Sequence, residues 1–285
     1  MYLYKQVTDI QAHLQAERAS YQTIGFVPTM GALHEGHISL INTSLAENQL
    51  TVCSIFVNPT QFNQAEDLEK YPRMPALDIA RLADAGCHLV FLPEVEVIYP
   101  PGLETRINID LNGLDQVMEG AHRPGHFAGV VQVVNRLLDI VKPHRLYMGQ
   151  KDYQQLCIIR RMLEVQQSPV ELVMVPTVRE ADGLAMSSRN MRLSPGERAQ
   201  APAIYKILQD IRQAALKKGA NFNALTQEAF DALVAAGFRP EYVNIVHGSS
   251  LQPLSDLPDT GSVVACVAAW LGEIRLIDNL VIREK

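Results

Sequence analysis

The chain has 285 residues, with 25 lysines and arginines against 31 aspartates and glutamates, so its net charge is −6. That sign disfavours a protein that coats nucleic acid or an anionic membrane, because either role needs a basic face. Hydrophobic residues make up 47% of the chain, which is enough for a sizeable core. The longest apolar run, Val263–Leu271, is too short to cross a membrane.

The first 176 residues alternate between short apolar runs and segments with helical spacing. Strands are predicted over residues 23–28, 51–57, 88–92, 145–148 and 171–175, and helices over residues 38–45, 77–83, 130–141 and 152–166. Continuous apolar strands that alternate with helices are typical of a parallel sheet covered by helices. We therefore predict a doubly wound, Rossmann-like α/β domain over residues 1–176.

The pattern changes over residues 177–285. Ser194, followed by Pro195 and by Glu197, forms a capping box that predicts a long helix ending near residue 218. A second helix is predicted over residues 225–236, and strands over residues 242–246, 262–270 and 275–282. These elements predict a smaller α+β domain at the carboxyl-terminal end.

The sequence gives little indication of a targeting segment or of paired cysteines. Polar and charged residues come too early for a signal peptide, and the four cysteines have no paired spacing. We therefore expect a cytoplasmic protein with buried free thiols.

The first chemical cluster is a His-x-Gly-His segment between the first predicted strand and the first helix. In open parallel sheets this position binds ligands, and a helix N-terminus offers unpaired N–H groups to phosphate. His34 and His37 are three residues apart, so they share one face of a helix. Zinc proteases space their histidines four apart, so we discount a zinc-protease site. A pair of surface histidines without function is the alternative.

Neutral amides follow the second predicted strand. Asn58 and Gln61 are able to hold carboxylate, hydroxyl or amine groups without adding charge, although a simple proline turn would look the same. Farther along, Arg123 is a further candidate phosphate ligand, whereas His126 is predicted to be a buried structural histidine.

Two more segments suit a phosphate chain. Lys151 precedes a predicted helix, where a cation is unfavourable unless an anion is near; a solvated lysine is the alternative. Gln155 is one helical turn away and faces the same side. Residues 178–190 concentrate hydroxyl groups and arginines in a predicted loop that could close over a nucleotide, or could be an ordinary linker.

Taken in order, these segments resemble the pantoate–β-alanine ligase family. The resemblance is carried by Pro28-Thr-Met-Gly31 with His34 and His37, Phe56-Val-Asn-Pro59 with Gln61, Lys70-Tyr-Pro-Arg73, Arg123-Pro-Gly-His-Phe127, Lys151-Asp-Tyr-Gln-Gln155, Ser187-Ser-Arg-Asn190 and Ala269-Trp-Leu-Gly272. The family belongs to the adenylate-forming nucleotidyltransferases, whose two signature motifs correspond to residues 34–37 and 186–189.

The resemblance implies an ATP-dependent ligase of coenzyme A biosynthesis. ATP and (R)-pantoate would form pantoyl adenylate and pyrophosphate, and β-alanine would then displace AMP to give pantothenate. It further implies Mg²⁺ bound to the phosphates without a dedicated protein cage, and a homodimer with no nucleic acid or membrane partner.

The implied site residues form three groups. His34, His37 and Lys151 would be catalytic, with His37 as a proton donor, while Gln61 and Gln155 would bind pantoate and Gln61 also β-alanine. ATP would be bound by Met30, Gly31, Ala32, Leu33, His34, Glu35, Gly36, His37, Gly149, Gln150, Lys151, Asp152, Val178, Met186, Ser187, Ser188 and Arg189.

The chain departs from the family pattern at two positions. The family commonly has Glu where this chain has Gln150, and often Leu in place of Met186, which is a volume-conserving change.

Three other functions are alternatives to the ligase. One is a nucleotidyltransferase that adenylates or cytidylates a phosphorylated small molecule, which should lack the amide pocket. A tRNA synthetase is disfavoured because no part of the acidic chain resembles a tRNA-binding module, and a nucleotide sensor would release no pyrophosphate.

Overall fold

The computed structural model describes residues 1–19, 23–63 and 65–284. Contacts within the chain divide it into two compact units. The first comprises Met1–Gly149 and Ile158–Pro176, and the second comprises Gln150–Cys157 and Thr177–Lys285. Each unit has its own buried apolar cluster. No helix in the described ranges has the length and apolar character needed to cross a membrane.

The segment 150–157 lies outside the unit in which the sequence placed it. We predicted one domain up to residue 176, but this segment packs with the second unit. Asn279 donates hydrogen bonds to the backbone oxygens of Gln150 and Lys151, and the hydroxyl of Tyr153 donates to the backbone oxygen of Gly248. These partners lie about a hundred residues away in sequence, so local patterns did not reveal them.

A six-stranded parallel sheet forms the centre of the first unit. Its strands are β1 (Tyr2–Tyr4), β2 (Ile24–Thr29), β3 (Leu50–Ile55), β4 (Leu89–Phe91), β5 (Arg145–Gly149) and β6 (Glu171–Val175), in the order β1-β4-β3-β2-β5-β6. The predicted doubly wound α/β class is confirmed. The short edge strand β1 was not predicted, since three residues, two of them exposed, carry little pattern.

Eight helices with described bounds begin in the connections of this sheet. They are α1 (Val7–Arg18), α2 (Glu35–Glu47), α3 (Ala65–Glu69), α4 (Pro75–Asp84), α5 (Val95–Ile98), α6 (Glu119–His122), α7 (His126–Val141) and α8 (Tyr153–Val165). Helix α1 was not predicted, and α7 begins four residues before its predicted start at residue 130. Gly125, with φ of +81°, provides the turn into α7.

Close packing fixes helix α2 against strand β2. Ile24, Phe26 and Val27 have no exposed surface, as expected for a central parallel strand covered on both faces. A Cβ atom on Gly25 would lie 2.2 Å from the Ser44 Oγ of α2, so only glycine allows this approach. The start of α2 is thereby held near the carboxyl end of β2.

The second unit contains three helices and a three-stranded antiparallel sheet. Its elements are α9 (Pro195–Gln200), α10 (Ala203–Ala215), α11 (Phe222–Ala235), β7 (Arg239–His247), β8 (Val263–Leu271) and β9 (Ile274–Arg283), with the sheet order β7-β8-β9. The capping box at Ser194 is present. The prediction of one long helix is wrong, because Pro202 lacks the N–H that would continue α9 into α10.

All four cysteines lie in the described ranges and are buried free thiols, as predicted. Burial raises the pKa of Cys87 to about 12 and raises that of Cys53 well above its usual value. Their thiolate forms are therefore scarce at neutral pH, which makes both side chains poor nucleophiles while the protein is folded.

Candidate active site

Three of the predicted site segments in the first unit follow the carboxyl ends of neighbouring strands. Strand β2 lies between β3 and β5, so the strands that follow it in sequence are added to the sheet on both of its sides. In open α/β sheets, ligands bind at the carboxyl ends of the strands where the strand order reverses in this way. Residues 30–37 follow β2, Asn58 and Gln61 follow β3, and Gly149 ends β5.

A buried carboxylate holds the loop that leaves β2. Gly31 and Ala32 have positive φ angles of +81° and +48°. The backbone N–H groups of Ala32 and Leu33 donate to Asp78 of α4, at 2.9 Å from Ala32 to Oδ2 and 2.7 Å from Leu33 to Oδ1. Asp78 is 1% exposed. The N–H groups of Ala32 and Leu33, which precede helix α2, are therefore satisfied by a carboxylate.

The two histidines cap the start of helix α2. The Gly36 N–H donates to His34 Nδ1 at 3.1 Å, and the His34 N–H donates to His37 Nδ1 at 3.2 Å. The ring centroids are 4.1 Å apart, which confirms that the rings share a face. Because a backbone N–H only donates, each Nδ1 is an acceptor, and the hydrogen-bond network assigns the proton of each neutral ring to Nε2. The sequence thus places two Nε2–H donors at one helix N-terminus.

The amide pair after β3 has a fixed orientation. Asn58 Oδ1 accepts from the Thr60 N–H at 3.3 Å, and Asn58 Nδ2 donates to the Gly129 oxygen at 3.1 Å. Both backbone groups have a definite polarity, so Nδ2 must also be the atom that donates to Gln61 Oε1, at 3.1 Å. The Gln61 Nε2 consequently points the other way, 3.2 Å from Met30 Sδ, a weak acceptor. Gln61 therefore presents its N–H donors on the side of the β2 loop.

The basic segment before α7 is tied to its own surroundings. Arg123 Nη1 lies 3.8 Å from the Glu119 carboxylate, which is buried. His126 is buried as predicted, and its Nδ1 lies 2.8 Å from the backbone oxygen of Gln61. His126 therefore contacts the main chain of the amide pair at Gln61, whereas Arg123 is paired with a carboxylate.

In the second unit, Lys151 lies in a short turn of 3₁₀ helix, Gln150–Asp152, just before α8. Asn279 Nδ2 donates to the backbone oxygens of Gln150 and Lys151, each at 2.9 Å, and Gln150 Nε2 donates to Asn279 Oδ1 at 3.2 Å. Gln155 is half-buried in the first turn of α8. The main chain of the Lys151 turn is thus fixed by a strand near the end of the sequence.

The predicted loop over residues 178–190 is a hairpin followed by a capped turn. The Met186 N–H donates to the Val178 oxygen at 3.0 Å. The Ser187 hydroxyl accepts from the Arg189 N–H at 3.3 Å and caps a 3₁₀ turn that begins at Ser188. Ser187 and Arg189 are half-buried and Ser188 is buried. The segment is therefore ordered by its own hydrogen bonds rather than being an unstructured linker.

A buried ion pair holds the base of that hairpin. Arg179 bridges to Ala185 across the hairpin, and its guanidinium binds Asp278 through two bonds of 2.7 and 3.0 Å. The same guanidinium lies 3.7 Å above the Tyr205 ring. Burial raises the pKa of Asp278, and Arg179 opposes that shift.

The sequence reading missed three buried polar residues, namely Asp78, Asp278 and Asn279. Asp78 resembles any acidic residue in the first turn of a helix, so no local signal marks it. The pair Asp278-Asn279 does carry a signal, since two adjacent polar residues interrupt the apolar run of a predicted strand. Buried polar groups require partners, and such an interruption indicates that partners exist.

The amino-acid sequence matches a known protein family and its members along nearly its whole length. A family model described as pantoate-beta-alanine ligase matches residues 2–281. The chain belongs to this family. A pantothenate synthetase of Porphyromonas gingivalis is 50% identical over 270 residues, which are 94% of each chain, and one of Pseudomonas putida is 45% identical over 276 residues, which are 97% of this chain and 96% of the relative.

Solved structures of the family agree with this membership. The crystal structure of pantothenate synthetase from Thermus thermophilus has a TM-score of 0.92 at 45% identity and covers 99% of both chains. A pantoate-beta-alanine ligase from Francisella tularensis, complexed with beta-gamma ATP and beta-alanine, has a TM-score of 0.81 at 35% identity, covering 99% of this chain and 98% of that one. The chain is therefore a family enzyme that joins pantoate to β-alanine through an amide bond, and the nucleotidyltransferase alternative is not favoured.

The residues predicted to form the site fall into two sets, one in each unit. The first unit contains residues 30–37, Gln61 and Gly149, and the second contains residues 150–152, Gln155, Val178 and residues 186–189. Within the first set the structure brings His34 to His37 and Gln61 to Met30. Within the second set it brings Val178 to Met186.

Proposed function

We propose that this ligase works in two steps through a pantoyl adenylate. A carboxylate oxygen of pantoate attacks the α-phosphorus of ATP, and the bond from that phosphorus to pyrophosphate breaks. The amine of β-alanine then attacks the activated carbonyl carbon, loses a proton and expels AMP. The first step turns a poor electrophile into one with a good leaving group, and the charge that develops on phosphate is best stabilised by positioned donors and cations.

His34 and His37 act on the α-phosphate in this proposal. The observation that carries it is the imidazole pair at the start of α2, with both Nδ1 atoms accepting backbone N–H groups. Two Nε2–H donors can then face phosphate oxygens together, at the positive end of a helix dipole. His37 would also supply the proton assigned to it by the resemblance, and on this tautomer that proton comes from Nε2.

Gln61 and Gln155 hold pantoate, and Gln61 also lies near β-alanine. The orientation imposed by Asn58 leaves Gln61 as a donor, which suits the carboxylate and hydroxyl oxygens of an organic acid. The neighbouring Met30 thioether is too weak an acceptor to compete with a carboxylate for these N–H groups.

Lys151, Ser187, Ser188 and Arg189 bind the phosphate chain. These cations and hydroxyls match the negative charge of a triphosphate, and Arg189 is able to bind phosphate through two N–H groups. The remaining nucleotide contacts would come from residues 30–33, 35–36, 149–150, 152, 178 and 186.

Mg²⁺ enters with ATP in this proposal, as part of the substrate. Within the described ranges no group of three or more His, Cys, Asp or Glu side chains could hold a metal ion. The phosphate oxygens and water would supply most of its ligands, as is usual for Mg²⁺ with nucleotides. We also propose, from the family resemblance alone, that the enzyme is a cytoplasmic homodimer.

The first half-reaction can be tested by itself. Exchange of labelled pyrophosphate into ATP should depend on pantoate and should proceed without β-alanine. When β-alanine is added, AMP and pantothenate should accumulate in equal amounts. A stable nucleotidyl product with no AMP would instead support the rival nucleotidyltransferase, and exchange without pantoate would overturn the adenylate route.

A further inference from the structure

A buried polar pair lies in the middle of strand β9, outside every segment assigned to the reaction. Asp278 and Asn279 are 4% and 2% exposed. A buried strand normally has apolar residues at its central positions, because burying an amide and a carboxylate costs free energy unless both are fully hydrogen-bonded. The partners of this pair therefore reveal what it does.

Asn279 uses its whole side chain on the turn that contains Lys151. Its Nδ2 carries two hydrogens, and these go to the backbone oxygens of Gln150 and Lys151. Its Oδ1 accepts from the Gln150 side chain. Because carbonyl oxygens only accept, the orientation of the Asn279 amide is unambiguous, and an aspartate in its place would face two carbonyls without a donor.

Asp278 holds the second segment through Arg179. The guanidinium that binds this carboxylate also donates to the backbone oxygens of Gly183 at 3.1 Å and of Asn279 itself at 3.3 Å. It therefore closes the hairpin from inside. That hairpin leads directly into Ser187, where the capped turn begins.

We propose that Asp278-Asn279 is a positioning pair that fixes the position of the Lys151 turn relative to the hairpin before Ser187. Asn279 fixes the main chain of the first, Asp278 fixes the second through Arg179, and adjacent residues of one strand cannot move apart. The inference rests on the proposed role of Lys151 in binding phosphate. Neither residue contacts substrate in it; both act through the residues they hold.

A double-mutant cycle in the full-length enzyme tests this role. The variants are Asn279→Ala, Lys151→Ala and the two combined, and the measurement is pantoate-dependent exchange of pyrophosphate with ATP, alongside the unfolding temperature. We expect Asn279→Ala to lower the exchange rate about tenfold or more by itself, but less than about twofold in the Lys151→Ala background. If Asn279→Ala does not fold, Asn279→Ser, which keeps one donor, takes its place.

The matched control is Glu241→Gln. Glu241 accepts from the Trp270 indole at 2.6 Å and from Arg275 at 2.7 Å, and these bonds join residues of the same sheet. It should leave exchange within about twofold in both backgrounds, even if it lowers the unfolding temperature.

The outcomes separate the two proposals. If losses from Asn279→Ala and Lys151→Ala simply multiply, the positioning role is overturned while the role of Lys151 stands. If Lys151→Ala exchanges pyrophosphate at the wild-type rate, the role proposed for Lys151 fails, and the positioning inference fails with it.

Discussion

The two sets of candidate ligands are held in place by different kinds of contact. His34 and His37 are oriented by hydrogen bonds that span two or three residues, with Asp78 behind the loop. Lys151 is fixed by Asn279, which is 128 residues away along the chain. The first arrangement is nearly complete within one strand, loop and helix. The second exists only after a whole antiparallel sheet has formed.

This difference has a consequence for how substitutions act. Changes to the two histidines themselves should affect the chemistry with little loss of global stability, because their capping bonds are local. Changes around Lys151 should couple chemistry to the stability of the second unit, since the same side chains serve both. Four predictions test this contrast, from the largest expected effect to the smallest.

His37→Ala should lower the exchange of pyrophosphate with ATP by about two orders of magnitude or more, because it removes one of the proposed phosphate donors. The matched control is His144→Ala. His144 also accepts a backbone N–H through Nδ1, from Ile24 at 2.9 Å, but at the amino end of β2. It should cost about 1 kcal/mol of stability and leave exchange within about twofold. Equal losses in both variants would refute a local role for His37.

The contrast also explains how much the sequence could predict. Strand-and-helix alternation, the Ser194 capping box and the placement of His34 and His37 on one face depend on neighbours within a few residues. The break at Pro202 was also local, and a stricter use of proline's missing N–H would have found it. By contrast, Asp78 lies 46 residues along the chain from Ala32, to which it is bonded, and Asn279 lies 128 residues from Lys151. Such partners cannot be recognised from neighbouring residues.

Asp78→Asn should lower exchange about tenfold, with the loss mainly in kcat, since the loop before His34 loses a carboxylate that accepts two N–H groups. One of these N–H groups would then face an amide donor, at a cost of about 1–3 kcal/mol in the free energy of unfolding. Denaturant titration and steady-state kinetics measure the two effects. Asp78→Glu tests rescue by the same charge, and full stability in Asp78→Asn would contradict the observed bonding.

Asp278→Asn should destabilise the second unit by about 1.5 kcal/mol, because Arg179 loses part of its charged partner. Thiol labelling can locate that loss, since Cys266 lies in β8 of the second unit while Cys53 and Cys87 lie in the first. Burial raises the pKa of the latter two thiols, so they react only when the first unit opens. We expect roughly tenfold faster labelling of Cys266 and of Cys157, which also belongs to the second unit, with no change at Cys53 and Cys87. Equal acceleration at all four cysteines would show that the units unfold as one.

Gln150→Glu should have the smallest effect, raising KM for ATP by about two- to fivefold with kcat unchanged. Glutamate cannot donate to Asn279 Oδ1, but the two bonds from Asn279 to backbone oxygens remain. Gln150→Ala is the control, because it removes the amide without adding a charge. The difference between the two variants measures the effect of the added carboxylate, through its repulsion of phosphate and of Asn279 Oδ1. A loss in Gln150→Ala as large as that in Asn279→Ala would mean that the side-chain bond, rather than the main-chain bonds, holds Lys151 in place.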